Sequence, residues 1–493
     1  MKRMHKYLLL TAFMGVAGVA YAQDNYDAQT LANSDLNGTA RFVAMGGALG
    51  ALGGDVSVMS TNPAGTGMYR SSDAAFSFSG LFSGKAAMGH DASRMSFDQG
   101  GVLIAFDMDE PTSKGLQFVN FGVNYQKKRN FLFNQRTDVG NLNNTFSQTF
   151  QIADLCNYAY ANNNWGMIAD MSASQEGVHG GILDETGEYG YAGMSASEAY
   201  YEKATFGGNI QADVNLSFNV SDQFFFGASV GVYDLDYSRE SFYQEYGTDG
   251  VTYDFTNWYK TEGDGFDVKL GFICRPIEDS PFRFGVTVHT PTWYRLTDAN
   301  GADLFMNDEF VSSSANAEYD YRFRTPWKFG VSVGHTIGQN FAIGAEYEFQ
   351  DLGSAHYSEV DGYNSDYFRN MNRITEKTLR GQHTLKVGAE FKPIDELSFR
   401  VGYNFVSSPF KKDAFRTIGY DGPYSETDWT NWGAINRFSL GLGYRYKSGY
   451  VDLAWQYQAQ KGDFYAFDNG EDFKPTEIKA NRSQLMATFG FRF

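Results

Sequence analysis

The chain ends in Leu485-Met486-Ala487-Thr488-Phe489-Gly490-Phe491-Arg492-Phe493. Leu485, Ala487, Phe489, Phe491 and Phe493 share one parity, and Met486, Thr488, Gly490 and Arg492 share the other. Successive side chains of a strand point to opposite faces. This stretch therefore carries a fully apolar face and a small, polar or cationic one. A secreted sandwich would bury the apolar face in a protein core, whereas a membrane cylinder turns it to lipid. How often the pattern recurs, and how its connections are distributed, decides between the two.

The pattern recurs along most of the chain. Phe399, Val401, Tyr403 and Phe405 alternate with Arg400, Gly402 and Asn404. Phe438, Leu440, Leu442, Tyr444 and Tyr446 alternate with Ser439, Gly441, Gly443 and Arg445. Val451, Leu453, Trp455 and Tyr457 alternate with Asp452, Ala454, Gln456 and Gln458. Period-2 alternation predicts strands over 74–82, 99–107, 116–129, 205–220, 224–238, 265–275, 282–296, 318–337, 341–351, 383–391, 397–407, 436–447, 450–460 and 482–493. These are fourteen, an even number, as a closed bacterial barrel requires. Short turns such as Ser221-Asp222-Gln223 and Ser448-Gly449 alternate with long connections, the longest near 130–204. Segregated loops are the asymmetry of a transmembrane barrel, and a soluble sandwich has no reason for them. The expected fold is all-β: a closed 14-stranded antiparallel transmembrane β-barrel.

Composition agrees. The 493 residues are 17% aromatic, include 54 glycines and carry a net charge of -18. No apolar run long enough for a membrane helix follows the first twenty-odd residues. The acidic balance argues against nucleic acid as a partner, and the aromatic content argues against disorder. Two cysteines make no disulfide framework, and Cys156 and Cys274 are expected on opposite sides of the membrane.

Residues 1–22 read as a signal peptide, with a basic start at Lys2, Arg3 and Lys6, an apolar core and Ala20-Tyr21-Ala22 as the cleavage site. Residues 23–73 lack strand alternation and are rich in Gly and Ala, so they can pack in a confined space. They are expected to fold back as a plug inside the barrel of 74–493. Twelve glycines fall on the lumen parity: Gly227, Gly231, Gly271, Gly285, Gly330, Gly334, Gly344, Gly388, Gly402, Gly441, Gly443 and Gly490. Glycine in a strand marks close approach by another group, so something is expected to occupy the lumen.

The leading segment also carries a resemblance. Gly38-x-x-Arg41, Gly46-Gly47-Ala48, Asp55 and Asn62-Pro63-Ala64 resemble the N-terminal hatch of the long-chain fatty acid transporter family (FadL/TodX-like outer-membrane proteins). The specific motifs cover about thirty residues, and the outer loops match nothing alignable. The resemblance implies passive uptake of hydrophobic compounds across the outer membrane of a Gram-negative bacterium. Cargo would dock among aromatic outer loops, enter an apolar pocket behind the hatch, and leave sideways through a kinked early strand. Separately, the alternating last strand ending in Phe493 resembles the C-terminal signal of outer-membrane barrels, which implies recognition by the barrel-insertion machinery.

Several residues become candidates. Arg41, Gly46, Gly47, Asn62, Pro63 and Ala64 form the hatch motif. In the third strand the apolar parity switches after Phe118, so Phe118, Val119, Asn120 and Gly122 mark either a lateral gate or a bulge that only adjusts curvature. Lys386, Arg400 and Arg445 are the candidate lumen cations among Lys269, Arg283 and Lys328. They could hold a carboxylate, or belong to a salt-bridge network with Glu346, Glu348 and Glu390. Apolar residues from Phe131 to Ile168 could form a docking groove or the loop's own core. Neither Gly-x-Ser-x-Gly match, at 227–231 or 330–334, has the strand–turn–helix context of a nucleophile elbow. No cofactor, metal or enzymatic site is expected. The expected partners are a hydrophobic small molecule, lipid or detergent in the lumen, and outer-membrane lipid around the barrel. Two alternatives stand beside transport: a structural subunit of a larger outer-membrane assembly for protein insertion or secretion, and a haem (hemin) receptor using His289. An outer-membrane lipid hydrolase is a third, without a visible Ser–His pair.

Overall fold

The computed structural model describes residues 25–108, 115–139, 191–248, 250–277, 279–313, 317–412, 428–467 and 474–493, with isolated positions between 142 and 185 and Ala414. The expected leader, Cys156 and most of the expected docking residues (Phe146, Ile152, Leu155, Tyr158, Tyr160, Trp165, Met167 and Ile168) lie outside the described residues.

Fourteen antiparallel strands form one closed cylinder. In chain order they are β1 (Asp73–Ser83), β2 (Ser93–Asp107), β3 (Leu116–Asn130, resuming at Phe133–Val139), β4 (Ala196–Val220), β5 (Phe224–Gly247), β6 (Thr252–Cys274) and β7 (Arg283–His289 and Trp293–Met306). The second half comprises β8 (Ala317–Arg324 and Lys328–Ile337), β9 (Phe341–Asp351 and His356–Glu359), β10 (Gly381–Ile394), β11 (Leu397–Val406), β12 (Trp429–Tyr446), β13 (Gly449–Tyr465) and β14 (Thr476–Lys479 and Arg482–Arg492). Each pairs with its sequence neighbour, and β1 pairs with β14 from Asp73↔Arg492 to Ser83↔Arg482, which closes the wall. Among the described residues no helix is long and apolar enough to cross a membrane.

The strands run further than alternation predicted. β4 has 25 residues and β5 has 24, whereas a strand needs only about 9–11 to cross the hydrocarbon. In place of the long β5–β6 connection expected between 238 and 265, β5 runs on to Gly247 and β6 begins at Thr252. The outward face explains the excess. On β5, Phe224, Phe226, Val230 and Val232 are exposed and apolar, while Asp234, Asp236 and Glu240 continue the same face above them. The inward face inverts in step, from Gly227, Ser229 and Gly231 to Tyr233, Leu235 and Tyr237. The outward apolar run ends at Val232, and above it the wall carries its apolar side chains on the inside.

That upper interior is an aromatic cluster including Tyr233, Tyr237, Tyr259, Tyr294, Tyr321, Phe323 and Tyr357. Two helices complete it. Helix α1 (Asn25–Ala32) contributes Tyr26, Ala28, Leu31 and Ala32. After the short helix α2 (Ala40–Ala44), helix α3 (Asp366–Thr378) in the β9–β10 connection contributes Phe368, Met371 and Ile374. Ser365 caps α3, its hydroxyl accepting from the Phe368 N–H at 3.4 Å.

Candidate functional site

Residues 25–72 are mostly buried against the inner wall. A Cβ on Gly227, Gly271, Gly285, Gly334, Gly344, Gly388, Gly402 or Gly441 would meet residues 44–64. The other four lumen glycines meet wall side chains: Lys269 at Gly231, Thr287 at Gly330, Asp452 and Arg400 at Gly443, and Tyr450 at Gly490.

The hatch motif has a local logic. Asn62 caps the 3-10 turn of Pro63–Met68: its Oδ1 accepts from the Ala64 N–H at 3.2 Å and its Nδ2 donates to the Gly50 carbonyl at 2.8 Å. Pro63 supplies the φ the first turn needs. Ala64 is fully buried beside Gly227, where a larger group has no room. Gly46 (φ 64°) and Gly47 (φ 79°) occupy the left-handed region that favours glycine. A Cβ on Gly46 would stand 2.9 Å from the Tyr403 backbone. Arg41 donates to the Gly54 carbonyl at 2.7 Å and pairs with Glu390 at 3.2 Å. Upstream, the Thr39 hydroxyl bonds the Asp55 carboxylate, which itself caps the 3-10 turn of Val56–Ser60.

The candidate cations do not stand together, and two of them are already paired. Lys386 is buried between Glu346 at 2.7 Å and Glu348 at 2.8 Å. Arg400 is buried against Glu390 at 2.6 Å and against Asp452. Arg445 is exposed near the short-turn rim. Lys269 repeats the Lys386 arrangement, with Asp213 at 2.9 Å and Asp267 at 2.6 Å. Lys128 and Lys328 line the same cavity, about 110 Å³. Those four lysines and four carboxylates balance. Within this group the formal charges cancel, which leaves little net field from it to draw an ion through. His289 is also engaged, its Nε2 lying 2.7 Å from the Thr61 carbonyl. The cavity is lined mainly by polar groups, and the apolar residues above it pack together as one cluster.

The strand-3 parity switch is a bulge. The β3–β4 register shifts between Leu116 and Phe118. From Phe118 to Gln126 the ladder then runs on both sides, so the wall is closed at Phe118, Val119, Asn120 and Gly122. Asn120 and Gly122 face the leading segment. Asn120 donates to the Thr66 carbonyl at 2.8 Å, and a Cβ on Gly122 would strike Met59.

The break in the wall lies further up the same strand. β2 and β3 pair only as far as Gln99↔Gln126. Beyond that, Ser93–Phe97 pair with β1 alone and Lys127–Asn130 with β4 alone. Asp98 is the extra residue of a bulge in β2, opposite Ser77/Phe78. The leading segment bridges the gap. Asn37 Nδ2 donates to Asp98 Oδ1 and to the Lys127 carbonyl, both at 3.0 Å. Gln126 Nε2 donates to the Asn37 carbonyl at 2.6 Å, and Lys127 Nζ to Ser96 Oγ at 2.9 Å. The Asp35 N–H donates to the Lys128 carbonyl at 2.9 Å, and the Asn130 N–H to Asp35 Oδ2 at 3.0 Å. Asp35 also pairs with Arg482 at 2.9 Å and Arg437 at 3.9 Å. Burial pushes its carboxyl up, but Arg482, Arg437 and Arg129 outweigh burial and hold it below the ordinary value.

Sequence reasoning did not single out Asp35, Asn37, Asp98, Arg437 or Arg482. Parity could have found the two arginines: Arg437 continues the lumen face of Ser439 and Gly441, and Arg482 that of Gln484 and Met486. The missing ladder has no sequence signal, because it is a property of two strands.

No family model matches the chain, and no curated protein matches it by sequence. Solved structures do match by shape. A Pseudomonas aeruginosa FadL homologue is 13% identical, with a TM-score of 0.50 over 94% of this chain and 98% of its own. The Ralstonia pickettii toluene transporter TbuX is 13% identical, at 0.51 over 93% and 99%. The monoaromatic hydrocarbon channel CymD is 10% identical, at 0.50 over 94% and 98%. The likeness extends over nearly the full length of each chain and shows a shared fold.

Proposed function

We propose that this protein resides in the outer membrane of a Gram-negative cell and passes hydrophobic compounds, such as long-chain fatty acids, into the bilayer. The observation that carries the reading is the gap between β2 and β3, opposite a lumen filled by residues 25–72. A filled, charge-balanced lumen gives an apolar molecule nothing to gain by travelling along the axis. A gap in the wall leads it straight to lipid. In this reading residues 25–72 act as a hatch: the Asp35–Asn37 stretch leaves the gap, cargo slips between the strands, and the gradient supplies the drive. The hatch motifs, the apolar belt and the FadL-like fold support it. The A-x-A leader supports export, and the terminal strand supports recognition by the insertion machinery.

The test is a wall that can be fastened. In a background with both native cysteines replaced by Ser, Ser96→Cys and Lys127→Cys are bridged by a short reducible bis-thiosulfonate. Uptake of a hydrophobic tracer into liposomes is expected to fall at least tenfold and to return on reduction. Unchanged uptake with the bridge in place excludes exit through this gap.

A further inference from the structure

On β7 and β8 the outer face of the wall turns basic just above its apolar run. Tyr294, Leu296, Tyr321 and Phe323 point inward into the aromatic cluster. Alternation therefore sends Arg295, Arg322 and Arg324 outward, where all three are exposed. The register sets Arg295 directly across from Arg322, and Trp293 across from Arg324. Cβ atoms of opposed residues lie about 4.5–5.5 Å apart, and like charges so placed repel. The carboxylates nearby do not relieve this. Asp264 stands opposite Arg295 in the β6–β7 ladder, yet among the described residues none of the three arginines has an ion pair or a side-chain hydrogen bond. Asp320 accepts from the Thr297 hydroxyl at 2.6 Å, and Glu262 pairs with Lys260. In a chain of net charge -18, three clustered arginines without counter-charge call for an anion from outside.

The height of the cluster says which anion. Val232, where the outward apolar run of β5 ends, is followed across the ladders by Phe266, Trp293 and Arg324. Below Arg324, Trp327 and Phe329 are exposed on the same face. The Phe266 and Trp293 rings lie 5.1 Å apart, and those of Trp327 and Phe329 6.4 Å. Such aromatic girdles mark the level where hydrocarbon gives way to headgroups. The arginines thus begin where the apolar face ends, on the side of the long connections, which in a barrel of this kind is the cell exterior.

We propose that Arg295, Arg322 and Arg324 hold the phosphate of a phosphorylated glycolipid in the outer leaflet, with its acyl chains lying down the aromatic face beneath. Guanidinium forks match phosphate oxygens through parallel N–H bonds. A lipid-borne phosphate is also kept at this height by its own chains. The proposal rests on the outer-membrane reading and is independent of what crosses the wall.

The experiment titrates the full chain in maltoside micelles with diphosphoryl lipid A, with dephosphorylated lipid A and inorganic phosphate as the other arms. Lipid A is expected to bind at least tenfold more tightly than its dephosphorylated form. The triple variant Arg295→Gln, Arg322→Gln, Arg324→Gln should weaken it at least tenfold. Lys461→Gln removes another exposed cation, one already paired with Glu477 at 3.0 Å, and should change binding less than about twofold. Equal affinity for the two lipids, a triple variant that binds as the native chain does, or an equal loss in Lys461→Gln overturns the proposal. Inorganic phosphate that binds the arginines as tightly as lipid A does gives the site to a soluble anion and overturns it too. So does a triple variant with native lipid affinity and an altered oligomeric state, which gives the patch to a second copy. If the triple variant fails to fold, Arg322→Gln alone decides, with about a threefold loss expected and no loss overturning. Failure of the native chain to insert into phosphatidylcholine vesicles sinks the outer-membrane reading and the proposal with it. Insertion without preference for the phosphorylated lipid sinks the patch alone.

Discussion

At the residue scale, a few short polar side chains decide where the leading segment sits. Asn62 uses both ends of its amide, capping one turn and gripping the Gly50 carbonyl. Asn62→Ala leaves that carbonyl unpartnered and should cost about 1 kcal/mol, so trypsin should cut at Arg41 about fivefold faster in micelles. Cleavage at the native rate would mean that the cap does not hold the segment. Asp35 makes a prediction in pH. Its neighbours Arg482, Arg437 and Arg129, with the Asn130 N–H, hold its carboxyl below the ordinary value. A depressed carboxyl contributes stability above its unfolded pKa, about 3.9, and that stability is lost as pH falls through the lower folded value. The native chain should therefore melt above Asp35→Asn at pH 7, with the difference shrinking below about pH 4. A difference that stays constant down to pH 2 counts against the ion pairs.

At the element scale, three changes of alternation have two physical causes. In β3 the parity switch after Phe118 is a bulge, seen as a register shift beside Gln117. In β2 the extra residue is Asp98, and the ladder to β3 ends there. In β5 the switch between Val232 and Tyr233 leaves the backbone regular, because the solvent changes from lipid to water while the strand runs on. Sequence periodicity reports an apolar face without saying what covers it, so strands predicted to stop near 238 continue to Gly247. The wall glycines are the other device of this scale. A Cβ on Gly402 would collide with the Gly46 N–H. Gly402→Val should thus destabilise the barrel by roughly 1–3 kcal/mol, read as a lower melting temperature. The same change at Gly338, a turn glycine with φ 58° and open space around it, strains only its own backbone and should leave the leading segment as protected from trypsin as in the native chain.

At the scale of the whole molecule, the cylinder carries two interiors stacked on one another. The lower one is filled by residues 36–72 through hydrogen bonds and glycine contacts, and the upper one by an aromatic cluster shared between α1 and α3. Lipid makes the outer face of the lower part intolerant of charge. Leu440→Lys, on the exposed belt of β12, should cost about 2–4 kcal/mol. Ser439→Lys points to the crowded lumen, so its penalty should come from displacing the leading segment. Folding titrations in vesicles, set against trypsin cleavage at Arg41, separate the two. A belt lysine with no cost would mean that lipid does not cover this face.

The alternation of single residues was enough to specify a fourteen-strand cylinder, its lipid face and a lumen occupied by a Gly- and Ala-rich segment, because those properties follow from period, parity and side-chain size. For the candidate lumen cations the sequence left a carboxylate ligand and a salt-bridge network both open; Lys386 and Arg400 are paired, and the sequence could not decide this because pairing depends on which strands stand side by side. The break between β2 and β3, the Asn37 bridge across it and the pairing of Asp35 with Arg437 and Arg482 join residues 35 to 482. No local pattern encodes such a meeting; it exists only once the wall has closed and the leading segment has folded back against it.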